Sequence, residues 1–158
     1  MNDNIIYYDE EKESLVYDGR IIHDSDVYSL KGKHKVKFKF ISSNNVNEHG
    51  VILDLGGNFD GDIFWEGRKF DIPNVKFPTL DLFEKDFGKE LTLDIDLRDG
   101  EIYIFNGVLD GKIVRFSEGN SGMLVDEFAS NKKKYHCSSP ISNDFDFDDF
   151  VFEIEILD

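Results

Sequence analysis

Several residue types are scarce in this chain, and each scarcity excludes a class of protein. Cys137 is the only cysteine among 158 residues, so no disulfide can form within the chain. Three prolines and thirteen glycines exclude a collagen-like or low-complexity chain. The apolar runs are too short to cross a bilayer, and the N-terminus, MNDNIIYYDEEKE, lacks the basic and apolar regions of a secretory signal. We therefore expect a cytoplasmic protein.

Basic residues are also few, because 18 lysines and arginines stand against 33 acids and leave a net charge of -15. Such a charge repels itself in a compact fold and attracts cationic partners from a distance. It disfavours nucleic-acid phosphates and anionic membrane surfaces as targets. We expect neither a nucleic-acid partner nor a membrane partner.

The residues that are plentiful favour a β-rich core. Hydrophobic residues make up 40% of the chain, including fifteen Phe and six Tyr, and a chain of this length suits one domain over residues 1–158. Period-two alternation dominates, as in Leu91–Leu97, where every second residue is Leu or Ile. Asp-Gly pairs favour tight hairpins at Asp18-Gly19, Asp99-Gly100 and Asp110-Gly111.

These patterns predict an all-β chain, mainly β with one or two short helices, folded as an antiparallel β-sandwich or open barrel. Asp60-Gly61 suggests a further turn. Asn106-Gly107 suggests another, as an alternative to the nearby turn at Asp110-Gly111. One helix is predicted over Leu80–Phe87, with Thr79 as its N-cap and Gly88 at its C-terminal end, and a second over Met123–Lys134. The remaining predicted strands are Ile5–Tyr8, Ser14–Tyr17, Arg20–His23, Lys35–Ser42, Gly50–Leu55, Asp62–Glu66, Arg68–Ile72, Glu101–Phe105, Lys112–Phe116 and Phe150–Leu157.

A lysine stripe is the sharpest local pattern. Lysine recurs at every second position from Lys31 to Lys39, and an extended chain would point all of these side chains to one face. The stripe fits an anion-binding strip. It fits better a solvated strand face, either a sheet edge protected by lysine or a strand paired with the Asp94 and Asp96 face.

Acidic residues accumulate near the C-terminus, where Asp144, Asp146 and Asp148, with Glu155 in the twelfth place, resemble fragments of a calcium-binding loop. Asp149 stands where that loop needs glycine, and the residues from Val151 alternate like a strand. An acidic surface for a cationic partner fits the segment better. The polar run around Asn58, Asp60 and Asp62 fits a glycine-rich turn better than a cation site.

Catalytic motifs are missing from the sequence. The four histidines show none of the spacings of zinc sites, and His136 and Cys137 would point to opposite faces of a strand. There is no phosphate-binding loop and no dinucleotide fingerprint. We therefore expect a protein that is not an enzyme and that needs no cofactor and no metal.

In size, acidity and absence of catalytic motifs, the chain resembles the immunity proteins of bacterial contact-dependent and polymorphic toxin systems. The features that carry this resemblance are the whole-chain charge and the acidic segments Asp144–Asp149 and Asp9–Glu11. The resemblance implies a small cytoplasmic protein that binds and blocks one toxin domain. Because nucleases must bind polyanions with a basic face, a nuclease toxin would suit an acidic inhibitor.

The sequence thus predicts a monomer that neutralises a cationic toxin in a heterodimeric complex by covering its active face. The alternative is a carbohydrate-binding or calcium-binding β-sandwich module. The candidate partner-binding residues follow from acidity alone. They are Asp144, Asp146, Asp148, Asp149, Glu10 and Glu11.

Overall fold

The computed structural model describes residues 6–44 and 47–157, and it is built almost entirely of antiparallel strands. This confirms the predicted all-β fold class. The strands are β1 (Ile6–Asp9), β2 (Ser14–Tyr17), β3 (Arg20–Ile21), β4 (Asp26–Tyr28), β5 (Gly32–Ser43), β6 (His49–Asp54), β7 (Asp60–Trp65), β8 (Arg68–Lys69), β9 (Thr79–Phe83), β10 (Glu90–Asp99), β11 (Ile102–Asp110), β12 (Ile113–Phe116), β13 (Gly122–Ala129), β14 (Lys132–Ser138) and β15 (Phe150–Ile156), with a one-turn helix α1 (Glu84–Phe87).

The described strands form three sheets. The large sheet has the order β13-β14-β15-β5-β10-β7-β8, so β5 is its central strand. The smaller facing sheet has the order β12-β11-β6-β9, with β4 also paired to β11. The first three strands make a separate small sheet, which we call the N-terminal sheet, in the order β1-β2-β3.

The core lies between the large sheet and the smaller facing sheet. Every second side chain of the large sheet points inward, including Phe38, Leu93 and Phe152, and meets Leu53 and Ile104 of the facing sheet. All five are at most 2% exposed. Burial of such side chains stabilises the fold by roughly 1.5–3 kcal/mol each. The two layers therefore form a sandwich.

Two of the three Asp-Gly turns close hairpins as predicted. Asp18 and Gly19 have φ angles of 50° and 76° between β2 and β3, and Gly111 has a φ of 62° between β11 and β12. Asp99-Gly100 is different, because β10 belongs to the large sheet and β11 to the facing sheet. The predicted hairpin there is wrong, and the turn instead carries the chain from one layer to the other.

The predicted helix over Met123–Lys134 is also wrong, since this segment forms the hairpin β13–β14. Acids early and lysines late suit a helix dipole, but in a hairpin the same order sets Asp126 opposite Lys134. Met123 and Tyr135 enter the core, and Glu153 and Glu155 of β15 lie opposite the lysines. Tertiary pairing therefore overrides the local helical pattern.

The predicted helix over Leu80–Phe87 survives only as its last turn. Thr79–Phe83 is instead a strand that pairs with β6, which buries Leu80 and Leu82 at period two. Gly88 ends α1 as expected, with a φ of 79°. The predicted N-cap, Thr79, lies in the strand rather than at the helix start.

Two predicted turns lie inside strands. Asp60-Gly61 belongs to β7, where a Cβ on Gly61 would lie 2.6 Å from the Asp96 carbonyl oxygen. The hairpin turn follows at Glu66 and Gly67, with φ angles of 52° and 75°. Asn106-Gly107 continues β11, and the buried Asn106 amide donates to the Ser138 carbonyl at 2.7 Å.

The other predicted strands recur within a few residues of their expected bounds, although Arg68–Ile72 and Arg20–His23 are paired over two residues each. Ile5, predicted to begin the first strand, lies outside the described residues. Within the described part of the chain, no helix combines the length and the apolar character that crossing a bilayer requires.

Candidate functional site

The outward face of the large sheet is a lattice of matched charges, which we call the charge-matched face. Lys35 lies opposite Asp94 with 2.7 Å between Nζ and Oδ1, and Lys39 lies between Glu90 and Glu153 of the flanking strands. The lysine stripe is therefore not a sheet edge. The expected pairing with Asp94 and Asp96 is confirmed. The face consists of Lys33, Lys35, Lys37, Lys39, Lys132 and Lys134 with Glu90, Asp94, Asp96, Asp126, Glu153 and Glu155.

A smaller matched group lies on β7, where sequence analysis considered a cation-binding turn. Arg98 contacts Asp60 at 3.1 Å and Asp62 at 3.0 Å, and Lys69 lies 3.0 Å from Asp62. Hydrogen bonds from Lys69 and Arg98 lower the pKa of the Asp62 carboxyl. The cations at this group are thus side chains of the protein itself.

Unmatched negative charge concentrates instead on the connection between β14 and β15, residues 139–149, which we call the acidic loop. Asp144, Asp146 and Asp148 are exposed, and none of them has an ion-pair partner among the described residues. Two of the carboxylates accept hydrogen bonds from the loop's own backbone, since Asp144 accepts from the Phe145 N–H and Asp146 from the Asp148 N–H. The loop therefore presents three carboxylates to solvent, two of them held by local hydrogen bonds.

Asp149 has a different position from the other three predicted acids. It is only 4% exposed, and its two oxygens accept hydrogen bonds of 2.9 Å from the Ser139 N–H and the Asn44 side-chain amide. These bonds tie both ends of the acidic loop to the end of β5. The structure thus places Asp149 beneath the expected partner-binding surface rather than on it.

Aromatic side chains pack the acidic loop against the N-terminal sheet. Phe147 packs against Tyr17 with ring centroids 4.8 Å apart, and Phe145 stacks on Phe147 at 5.9 Å. Ile22 and Leu124 complete this second apolar cluster. A groove of about 540 Å³ runs between the loop and the sheet. Phe145 and Phe147 therefore anchor the acidic loop, while the aspartates that alternate with them form an exposed acidic row.

Across this groove lie Arg20 and His136, both bound to the same acid. Arg20 contacts Asp126 at 2.5 Å, and the His136 Nε2 lies 3.2 Å from the other oxygen of that carboxylate. These basic groups are thus held by Asp126 and not by the acidic loop. One wall of the groove carries carboxylates that have no described ion-pair partner. The other wall carries Arg20 and His136, which both contact Asp126.

Glu10 and Glu11 lie apart from the acidic loop. They are exposed in the turn of the β1–β2 hairpin, whereas Tyr17, which contacts the loop, pairs with Ile6 at the other end. Four residues of strand separate the two positions by roughly 13 Å. The structure therefore does not bring the two predicted acidic segments together into one continuous patch.

A polar pocket beside the acidic loop was missed by sequence reasoning. The pocket, of about 280 Å³, has His49, Ser139 and Asp149 as its buried residues, with Asn44, Asn47, Ile141, Ser142 and Asn143 completing its lining. Neither ring nitrogen of His49 makes a hydrogen bond of good geometry with the described residues. Burial lowers the pKa of His49, although Asp149 acts in the opposite direction.

No signal in the sequence marks this His49–Asp149 pocket. His49 and Asp149 stand a hundred residues apart in the sequence, and Ser139 stands ten residues before Asp149. The ring of His49 stacks on Phe150 with centroids 5.7 Å apart. The pairing of β5 with β15 places Asn44 near Asp149, and His49 reaches them from β6 of the facing sheet.

The described residues include no group of three or more His, Cys, Asp or Glu side chains that could hold a metal ion. Cys137 is fully buried and points into the core, while His136 points outward, as the strand pattern predicted. Burial raises the pKa of the Cys137 thiol, which keeps it protonated and unreactive.

Comparisons with protein-family models, with curated proteins and with solved structures find no match to this chain.

Proposed function

We propose that this chain is an acidic binding protein of the immunity type, which neutralises a cationic toxin by covering its active face. A nuclease domain is the favoured partner, because it must present a basic surface to its polyanionic substrate. The observation that carries the proposal is the acidic loop, in which Asp144, Asp146 and Asp148 are exposed and have no ion-pair partner among the described residues.

The distribution of charge supports a dedicated surface rather than general acidity. Lysines of the charge-matched face lie opposite carboxylates of the neighbouring strands, so that face contributes little to the surplus. Among the described residues, the exposed acids of the acidic loop have no compensating cations. Unpaired carboxylates on a rigid support attract a positive surface at long range and raise the association rate.

The scaffold also supports tight binding after encounter. Asp149 and the Phe145–Phe147 anchor fix the loop before any partner arrives, so little conformational entropy is lost on association. The adjacent groove offers Tyr17 and the Arg20 side chain, which are residue types enriched at interface hot spots. The proposed interface therefore combines steering charges with a partly apolar centre.

The proposal is tested with the protein products of the genes adjacent to the gene for this chain, among which we expect a basic toxin domain. Binding is measured by calorimetry at low and high ionic strength, together with the activity of the toxin. We expect tight binding that weakens steeply with salt, and loss of toxin activity in the complex. The variant D144N/D146N/D148N should bind at least about tenfold more weakly, since three steering charges are removed while the backbone hydrogen bonds can persist.

A matched control variant distinguishes the effect of the acidic loop on binding from the effect of net charge. The variant D71N/E84Q/D86N removes the same charge from exposed acids elsewhere on the chain and should retain near-native affinity. Equal losses in the two variants would remove the acidic loop from the proposal. Undetectable binding of the native chain at low ionic strength would overturn the proposed function itself.

A further inference from the structure

The His49–Asp149 pocket contains a buried carboxylate that has no partner of opposite charge in the described part of the chain. Both oxygens of Asp149 accept N–H bonds, the arrangement of an ionised carboxylate, and no described residue forms an ion pair with it. Buried charges in proteins are normally paired. The carboxylate of Asp149 therefore lacks the cation that such a position usually has.

His49 is the second unpartnered group in the same pocket. The residue is 4% exposed, and neither ring nitrogen makes a hydrogen bond of good geometry with the described residues. A buried imidazole whose nitrogens are both unused is uncommon, because each unsatisfied polar group costs about 1–3 kcal/mol. Two side chains that line the same small pocket thus have hydrogen-bonding capacity that no described residue uses with good geometry.

The size and chemistry of the pocket restrict what can enter it. A volume of about 280 Å³ accommodates one side chain or a small molecule and is below the usual range for drug-sized ligands. The described lining has one carboxylate, Asp149. The rest consists of hydroxyls, side-chain amides, Ile141 and the ring of His49, whose pKa is lowered by burial. An anion is therefore excluded, and a cation with several N–H donors is favoured.

We propose that the His49–Asp149 pocket binds a guanidinium group, supplied by an arginine side chain of the cationic partner. A guanidinium presents five N–H donors in a plane and keeps its charge when buried, so it matches a carboxylate and the acceptor atoms around it. An ammonium has fewer donors and is more strongly hydrated. The inference rests on the proposed function for the source of the arginine.

The position of the pocket agrees with this assignment. Ser139 and Asp149 are the two ends of the acidic loop, so an arginine entering the pocket would lie next to the exposed row at Asp144–Asp148. Asn44, Ile141 and Asn143 are exposed at its mouth. The exposed carboxylates would then attract the basic surface, and the buried carboxylate would fix one of its side chains.

The test follows NMR signals of the full-length chain during titration with methylguanidinium chloride. Methylurea is the matched control ligand, because it has nearly the same shape but no charge. We expect saturable shifts of the His49 ring and the Asn44 side-chain amide with methylguanidinium, and at least tenfold weaker binding of methylurea. Equal binding of the two, or no saturable shift, would overturn the assignment.

Variants locate the cation within the pocket. Asp149→Asn should abolish the methylguanidinium shifts, while Asp146→Asn, in the exposed row of the same loop, should retain them. Unchanged binding by Asp149→Asn would count against the pocket. If that variant does not fold, the comparison of methylguanidinium with methylurea on the native chain decides alone. Binding of calcium chloride at His49 and Asn44 in place of methylguanidinium would also overturn the proposal.

The source of the guanidinium is distinguished by two further ligands. N-acetyl-arginine methylamide, which mimics an arginine within a protein, should bind at least as tightly as free arginine. A clear preference for free arginine would contradict a protein source. Because none of these ligands is a toxin, the pocket assignment can fail while the toxin complex forms, and the toxin complex can fail while methylguanidinium binds.

Discussion

Single residues decide whether an acid in this chain holds the fold together or faces solvent, and Asp149 and Asp148 give the contrast side by side. Asp148 is exposed and its carboxylate accepts no hydrogen bond among the described residues, whereas Asp149 accepts two and is buried. Neighbouring identical residues thus have opposite roles because a strand begins at Phe150 and turns Asp149 inward.

Replacing Asp149 with alanine should destabilise the protein by about 1–3 kcal/mol, because the buried Ser139 N–H would lose its acceptor. Urea unfolding measures the change. The control Asp148→Ala should lie within about 0.5 kcal/mol of the native chain. Similar values for both substitutions would show that the hydrogen bonds of Asp149 do not support the loop.

The buried ring of His49 should make stability depend on pH. Burial lowers its pKa in the folded state below the ordinary value near 6.5, so the unfolded chain binds the proton more readily. Its contribution is therefore complete above about pH 6.5 and is lost as the pH falls from there through the folded-state pKa. The free energy of unfolding of the native chain should fall more steeply below that pH than that of His49→Gln.

Urea unfolding of both proteins from pH 8 to pH 5 checks this expectation. Acids common to both chains cancel in the difference, so the pH dependence of the difference reports on His49 alone. A difference that is constant across this range would mean that the ring is not neutral and buried in solution.

At the scale of elements, the position of β5 in the large sheet determines what its lysines do. Lys39 stands between Glu90 and Glu153, so Lys39→Glu would place three acids in a row across the sheet. We expect a loss of about 1 kcal/mol or more at low ionic strength, because opposite charges in register are replaced by like charges. Added salt should reduce the loss.

Lys31 provides the control for this substitution. It belongs to the same lysine stripe but precedes β5, and it has no ion-pair partner among the described residues. Lys31→Glu should therefore leave the unfolding free energy nearly unchanged. If the two substitutions lower the unfolding free energy equally at low salt, pairing of the lysines with acids on the neighbouring strands does not stabilise the protein.

The sequence predicts most strands because period-two patterning records which face of a strand is buried, as it does in Leu91–Leu97. It does not predict which strand pairs with which, and its errors arise there. Asp99-Gly100 has hairpin chemistry, yet its φ of 89° at Gly100 serves a crossing between layers, where a Cβ would meet the Asn58 carbonyl oxygen at 2.7 Å. Likewise, only pairing with β15 distinguishes the β13–β14 hairpin from a helix.

The candidate site shows the same division between local and distant information. Exposure of Asp144, Asp146 and Asp148 follows from alternation with Phe145 and Phe147, which is visible in the sequence. Burial of Asp149 depends on Ser139 and Asn44, and the pocket depends on His49 as well. These contacts join distant segments, so no local pattern could reveal them.

At the scale of the whole molecule, the net charge of -15 opposes folding, because like charges are brought closer in the compact state. The charge-matched face limits this repulsion on one side of the sandwich. The acidic loop does not, since its exposed carboxylates have no described cationic partners. The exposed acids of the acidic loop, which we propose bind a partner, should therefore lower the stability of the free protein.

This reasoning predicts opposite effects of one variant on stability and on binding. D144N/D146N/D148N keeps oxygen acceptors for the Phe145 and Asp148 N–H groups, so the turns can persist while charge is removed. At low ionic strength its free energy of unfolding should rise by less than about 1 kcal/mol, and the gain should vanish at high salt. Urea unfolding at both ionic strengths measures this. A less stable variant would show that the three carboxylates hold the loop together, and a structural role would then replace the binding role as the explanation of the acidic row.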